Sequence, residues 1–285
     1  ARRPRREPVR APQGSPVSRP RWFVTILKRA FPGRFLLARA TRLPLLGTLM
    51  DRWLFKGDRL IYLPHDGLLR VQEDIASFGE MALPSQVVER FIEHASTLWV
   101  MDRCICRDAG GCRDYPVDLG CLFLGEAAAG INPALGHPVS REEALAHVRR
   151  CREAGLVHMV GRNKLDTLWL GVGPGRRLLT ICNCCPCCCL WRVLPHVAPE
   201  IGAKVTAMPG VTVRVGEGCA GCGTCTGVCF VQAITIVDGR AVIGDECRGC
   251  GRCTEACPQG AIEVILDGPF VEQATTAIAA LVDVT

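Results

Sequence analysis

Aromatic side chains are scarce in this 285-residue chain, which has 5 Trp, 2 Tyr and 9 Phe. That argues against one large aromatic-packed core and favours two modest domains. No apolar stretch reaches about 18 to 20 residues without an interrupting Arg, Lys or Asp, so the sequence offers no transmembrane helix. It also lacks a G-x-x-x-x-G-K-[ST] loop and an H-E-x-x-H pair, which removes the commonest nucleotide hydrolase and metalloprotease readings. Gly171-Val-Gly173-Pro174-Gly175 has no strand-to-helix context for a dinucleotide and reads as a plain turn. Arg2-Arg3 and Arg5-Arg6 are followed by Pro, Gln, Gly and Ser instead of an apolar run, so export is not expected.

What the chain has in abundance is cysteine. There are 19, an odd number, and six fall between Cys182 and Cys189. Neighbouring residues do not meet the geometry of a disulfide, so thiolates gathered around metal ions suit this density better than separate bridges. A reducing compartment follows, with the protein cytoplasmic or peripheral at a membrane surface.

Charge is divided unevenly. Residues 1–60 carry 15 basic and 3 acidic side chains, a balance of +12 against +6 for the whole chain, which leaves −6 for the remainder. Residues 1–21 hold seven Arg and a proline at every fourth position from Pro4 to Pro20, the composition of an extended arm. Residues 22–59 form a basic amphipathic helical segment, with Trp22, Phe23, Ile26, Leu27 and Ala30 on one side. Packing on the body or on a partner subunit is one use for that face, and a membrane surface is another. Arginine without interleaved aromatics or a known fold is a weak nucleic-acid signal, and no nucleic acid is expected.

Residues 60–208 read as a cysteine-rich α+β domain. Val87, Val88, Phe91, Ile92 and Ala95 share one helical face, and Ser140 with Glu143 makes a capping box for a helix that Gly155 ends. Strand-like runs cover 156–160, 167–172 and 178–181. Cys104 and Cys106, two residues apart, are expected on one face of a strand, with Cys112 and Cys121 following. The second constellation is Cys182, Cys184, Cys185, Cys187, Cys188 and Cys189. These ten are candidate ligands of a further iron–sulfur cluster or zinc, and the bland alternative is that several are small buried hydrophobes. Cys151 and His158 read as core residues.

From 209 to 270 a motif repeats after 28 residues: Cys219-x-x-Cys222-x-x-Cys225-x-x-x-Cys229 and Cys247-x-x-Cys250-x-x-Cys253-x-x-x-Cys257-Pro258. Asp238-Gly239 between two apolar runs signals a hairpin, and 271–285 is a C-terminal tail of helical character. The repeat resembles the bacterial two-[4Fe-4S] ferredoxins, whose spacing it matches. Three thiolates with two residues between successive cysteines wrap one face of a cubane, while Gly221, Gly223, Gly249 and Gly251 let backbone N–H groups approach. The resemblance implies crossed ligation: Cys219, Cys222, Cys225 and Cys257 for one cluster, and Cys247, Cys250, Cys253 and Cys229 for the second. Phe230 departs from the proline usual after the last cysteine of such a motif. Together with the CICR, SREEALAHVRRCREAGLVH and TICNCCPCCCLWR segments, the chain from about 80 to 270 resembles iron–sulfur binding proteins of anaerobic bacteria and archaea.

The expected fold class is therefore α+β, a ferredoxin-like two-cluster domain joined to the cysteine-rich domain. The leading functional reading is an electron-transfer protein working with redox partner proteins. A reductase whose Cys182–Cys189 region is a cluster or thiol active site is the second. A cluster-assembly or metal-delivery protein is the third.

Overall fold

The computed structural model describes residues 18–66, 69–71 and 83–285, with only the backbone described at 69–71. The basic arm up to residue 17 lies outside the described residues. By Ser18 the chain is already docked, earlier than the boundary at 21 read from composition. Ser18 Oγ donates to Leu170 O at 2.6 Å, Arg19 N donates to the same oxygen at 2.9 Å, and Asn132 N donates to Ser18 Oγ at 3.1 Å.

Three short helices follow: α1 (Arg21–Ala30), α2 (Arg34–Ala40) and α3 (Pro44–Met50). Pro32 and Pro44, each lacking an N–H, set the breaks between them. Then come β1 (Arg59–Tyr62), β2 (Leu69–Val71), α4 (Ser85–His94), β3 (Leu98–Met101), α5 (Ile105–Ala109), β4 (Leu122–Leu124) and β5 (Gly136–Pro138). The middle continues through α6 (Arg141–Glu153), β6 (Val157–Arg162), α7 (Lys164–Leu170), β7 (Leu179–Cys184), α8 (Pro199–Gly202) and β8 (Val205–Ala207). The last part holds β9 (Val211–Val215), α9 (Thr224–Val228), β10 (Ile234–Val237), β11 (Arg240–Ile243), α10 (Arg252–Ala256), β12 (Ile262–Leu266) and α11 (Phe270–Ala279).

The protein is a mixed α/β structure. Its main sheet has seven strands in the order β5-β3-β4-β7-β6-β1-β8, antiparallel except for the parallel β1–β8 pair. Strand periodicity divides its two faces. Ile61, Val160, Leu179 and Ile181 join α4, α6 and α11 in the largest core, through Val88, Ile92, Ala144, Val148, Phe270 and Ile278. Leu60, Tyr62, Met159 and Cys184 point the other way, towards Trp191, Val193 and the α2 segment. Every thiol at an even position of β7 is thereby sent to the face that α1–α3 cover. A smaller sheet sets β12 between β2 and β9, and β10–β11 is a hairpin turned by Asp238 (φ 49°) and Gly239 (φ 74°), the pair of positive φ angles that a type I′ turn requires.

Two local readings are corrected. Residues 167–172, apolar and rich in strand formers, lie mostly in helix α7, because Asn163 caps its start by accepting from Leu165 N and Gly171, left-handed at φ 69°, ends it. Cys104 and Cys106 do not share a strand. β3 stops at Met101, Cys104 is the N-cap of α5, and Cys106 lies within that helix.

Helix α6 shows how local signals fix an element. Glu143 N donates to Ser140 Oγ at 3.2 Å and Ser140 N to Glu143 Oε2 at 3.0 Å, closing the capping box. At its other end Leu156 N reaches Cys151 O and Gly155 N reaches Arg152 O, the paired bonds of a Schellman stop. Replacing Ser140 with Ala is expected to cost about 1 kcal/mol of stability, read from the urea midpoint under anaerobic conditions; an unchanged midpoint would show that the cap adds nothing.

Candidate metal centres

The C-terminal repeat brings its eight cysteines into two groups. Cys219, Cys222, Cys225 and Cys257 line one small concavity, with Pro258 on its rim. In the other, Cys247, Cys250 and Cys253 share their surroundings with Cys229, whose thiol is among the charges each of them feels. The local chain is built for thiolates. Ala241 N donates to Cys219 Sγ at 3.4 Å, Ala233 N to Cys229 Sγ at 3.3 Å, Gly249 N to Cys247 Sγ at 3.4 Å and Ala261 N to Cys257 Sγ at 3.3 Å. Such N–H donors stabilise the anionic sulfur, and those to Cys219 hold its thiol below the ordinary value. Gly221 and Gly249 both sit at φ 63°, and a Cβ at Gly221 would meet Gly239 O.

The two groups differ in environment. Cys222 is exposed, whereas burial pushes Cys250 up to about 11 and Cys253 up to about 12. The second group also abuts the end of β7 and the turn after α6: Arg252 Nη2 donates to Cys184 O at 2.5 Å and Arg252 Nη1 to Gly155 O at 3.2 Å. Phe230, which stands where proline was expected, lays its ring 5.1 Å from that of Tyr62.

Tyr62 leads into a chamber. A cavity of about 460 Å³ lies between the sheet and the roof of α1–α3; Cys104, Cys106, Cys121, Cys182, Cys184 and Cys189 all line it, and Cys185 also borders it. The six sulfurs form a chain of contacts. Cys121 Sγ lies 4.0 Å from Cys182 Sγ, Cys189 Sγ lies 3.3 Å from Cys184 Sγ, and Tyr62 Oη donates to Cys184 Sγ at 3.7 Å. Thiol hydrogen bonds from Cys106 and Cys121 hold Cys104 below the usual thiol range, and those from Cys182 and Cys189 do the same for Cys184. Their donors are held above it. The set is suited to a thiolate-bound metal centre, since loss of the shared protons leaves convergent thiolate ligands.

The remaining middle-domain candidates gather elsewhere. Cys112, Cys185, Cys187 and Cys188 form a second group, which adjoins the chamber wall through Cys185. Cys151 joins neither set: it is buried on α6, 3.6 Å from His147 Nε2, and burial pushes its thiol up to about 12.

Three functional side chains escaped the sequence reading. Arg107 is fully buried, donates through Nη1 to Asn183 O at 2.7 Å and through Nη2 to Leu119 O, and faces Cys104, Cys121 and Cys185. It is a fixed positive charge under a field of sulfur, and its place directly after Cys104-Ile105-Cys106 was the available signal. Asp166 lines the chamber and is raised by burial although Trp169 Nε1, Asn163 Nδ2 and Thr180 Oγ1 donate to it at 2.8, 2.7 and 2.9 Å. Tyr62, buried between the chamber and Phe230, carried no motif at all.

Against known proteins, residues 218–262 match the family model of a 4Fe-4S dicluster domain. No curated protein and no solved structure matches the chain. The chain thus carries a ferredoxin-type domain. With that domain and its further cysteine group, it is an iron–sulfur protein.

His158 gives a solution test of this buried polar layer. Its Nδ1 pairs with Asn183 Oδ1 at 2.8 Å, and burial holds it down to about 3. The folded chain keeps it neutral where the unfolded chain, at about 6.5, takes a proton, so its contribution is complete above pH 6.5 and lost as the pH falls. At pH 5 the loss is about 2 kcal/mol. His158→Gln is expected to flatten the fall in urea stability between pH 7 and pH 5, and parallel curves for the two proteins would refute the assignment.

Proposed function

We propose that this chain is an electron-transfer protein whose ferredoxin domain serves a third, thiolate-bound iron–sulfur centre in the chamber. In this reading Cys219, Cys222, Cys225 and Cys257 hold one [4Fe-4S] cluster, Cys229, Cys247, Cys250 and Cys253 hold a second, and ligands of the third come from Cys104, Cys106, Cys121, Cys182, Cys184 and Cys189. Iron–sulfur clusters supply one-electron chemistry over a wide range of potentials. The protein's part is to hold, space and tune them.

The observation that carries the reading is the direct join between the second quartet and the chamber. Arg252, which follows Cys250 by two residues, is bonded to the carbonyl of Cys184, and Phe230, next to Cys229, stacks on the tyrosine that is bonded to the Cys184 sulfur. Exposure runs the same way, from Cys222 at the surface to buried Cys184 and Cys189. Redox partner proteins fit best at the exposed first quartet. The reductase reading draws support from the cavity, whose volume of about 460 Å³ lies in the range of small-molecule sites and whose wall includes the buried carboxyl Asp166. Burial of the chamber thiols weighs against a delivery role, which needs ligands an acceptor can reach.

Residues 22–53 supply the docking face in this proposal, and its chemistry favours an anionic lipid surface. The roof helices turn Phe23, Leu27 and Phe31 into the chamber while leaving Trp22, Leu36, Leu45 and Trp53 exposed, Leu45 at 90% and Trp53 at 68%. Arg29, Arg39, Arg42 and Arg52 flank them. Both acidic side chains of residues 18–60 are engaged: Asp51 with Lys204, and Asp58 buried against Lys164 N. Among the described residues no helix is long and apolar enough to cross a membrane, so such a surface would be met in the interface plane.

Protein purified without oxygen is expected to hold about 8 iron and 8 sulfide in the ferredoxin domain, with further iron in the chamber. Cys104→Ser with Cys184→Ser should remove only the further iron. Cys257→Ser should damage the cluster otherwise held by Cys219, Cys222 and Cys225. Wild-type iron at about 8 would sink the chamber centre, and EPR spectra unchanged in Cys257→Ser would sink the crossed ligation. In flotation assays the chain should rise with anionic phosphatidylglycerol vesicles in a salt-sensitive manner, and Leu45→Glu with Trp53→Glu should abolish this. No flotation by the wild type, or a dimer that those changes dissociate, would overturn the lipid assignment.

A further inference from the structure

The ten middle-domain cysteines divide between two places of different geometry. Six line the chamber alone, while Cys185 borders it and also belongs to the second place. The other four, Cys112, Cys185, Cys187 and Cys188, offer sulfurs that all lie within 4.8 Å of one another, with Cys112 Sγ 3.5 Å from Cys187 Sγ. Among the described residues this is the one set of three or more ligating side chains gathered so closely, and neither ferredoxin-type quartet is.

That spacing discriminates between metal centres. In a tetrahedral site with metal–sulfur bonds of about 2.3 Å, two sulfurs stand about 3.8 Å apart. A cubane places each thiolate on a different iron, with bridging sulfides between, and so holds its four cysteines farther apart. The tight set suits one ion, and the open sets suit clusters. We propose that Cys112, Cys185, Cys187 and Cys188 bind a single tetrahedral zinc ion, separate from the iron–sulfur centres.

The local chain supports the site. β7 ends at Cys184, whose sulfur belongs to the chamber, and Cys185, the next residue, borders the chamber while placing its sulfur with those of Cys112, Cys187 and Cys188. Cys188 N donates to Cys185 Sγ at 3.3 Å, and backbone N–H groups of Asp114 and Tyr115 point at Cys112, which they and the Cys187 thiol lower against the burial that raises it. Gly110 leaves room: a Cβ there would lie 3.1 Å from Cys188 Sγ. Leu119, Leu156 and Cys151 make a dry apolar backing, and Arg107 beside Cys185 offsets the surplus negative charge of four thiolates around a divalent ion. Adjacent ligands at 187 and 188 depart from the two-residue and longer spacings usual in zinc sites. The departure is allowed because the other two ligands, Cys112 and Cys185, complete the tetrahedron from a separate loop and from the strand end.

All four ligand positions are filled by the chain, which is the pattern of a structural site. It would clamp the loop after α5 to the loop after β7. The first adjoins helix α5, which carries Cys106, and the second carries Cys189, so a redox-inert ion would fix the wall against which a redox-active centre is held.

The inference stands without the electron-transfer reading, and metal analysis of the full chain tests it. Protein purified without oxygen is expected to hold one zinc per chain, with a zinc-edge X-ray absorption spectrum showing four sulfurs at about 2.3 Å. Cys112→Ser with Cys187→Ser should lose the zinc while iron and sulfide stay unchanged. The wild-type spectrum keeps the proposal falsifiable if that variant does not fold. Zinc bound by nitrogen or oxygen, absence of zinc, a single iron in its place, or loss of iron and sulfide with the double variant would each overturn it.

Discussion

Gathered sulfur needs positive charge near it. Thiolates brought together in a dry interior repel one another strongly, and each also loses its hydration, so a chain that gathers ten cysteines in two adjoining groups must supply compensation from within. Arg107 is the main source. Its guanidinium is fully buried and held by the carbonyls of Asn183 and Leu119, and it faces thiols of both middle-domain groups. Asn183 is anchored in turn by Gly120 O at 2.7 Å and by His158. The polar layer beneath the cysteines is thus one connected network. It accounts for buried polar groups that would otherwise be costly among Val, Leu and Ile.

The ferredoxin-type repeat solves the same problem by other means. Here the donors are mostly peptide N–H groups, made available by turns that glycine permits, and no fully buried cation is needed at the exposed quartet. Arg248 and Arg252 appear only in the second half, where the repeat meets the rest of the chain. That difference follows from burial: a quartet open to water is screened by solvent, and one sealed against another domain is not.

Legibility followed locality. The repeat could be read because its cysteines lie a few residues apart and their spacing is itself the signature of a ferredoxin-type domain. The capping box and Gly155 were legible for the same reason. The chamber was not, since Cys104, Cys106, Cys121 and the Cys182–Cys189 run come from separate segments, and only strand alternation at β7 decides which sulfurs face one another. Cys104 and Cys106 were assigned to a strand because an x-Cys-x-Cys pattern fits period 2, whereas Met101 ends that strand and Cys104 caps a helix. Residues 167–172 misled through β-favouring composition that Asn163 and Gly171 overrode. The amphipathic character of 22–59 was visible, but a sequence moment marks one apolar face, and these helices have two: an inner one over the chamber and an outer one in the open.

The same asymmetry bears on how the centres would be tuned. Cys222 lies at the surface, while Cys250 and Cys253 sit where burial, aided by the charges of neighbouring thiols, drives their thiols to about 11 and 12. An environment that disfavours a thiolate disfavours added negative charge on any centre those thiolates bind, and so pulls its potential down. Arg252 opposes this through its charge near Cys250, and so does the Gly249 N–H on Cys247. Phe230 acts in the other direction. In the position of a proline it sets an apolar ring beside Cys229, 5.1 Å from the ring of Tyr62. The balance between the Phe230 ring and the Arg252 charge would set how far the second quartet departs from the first, although the two motifs that build them share one cysteine spacing.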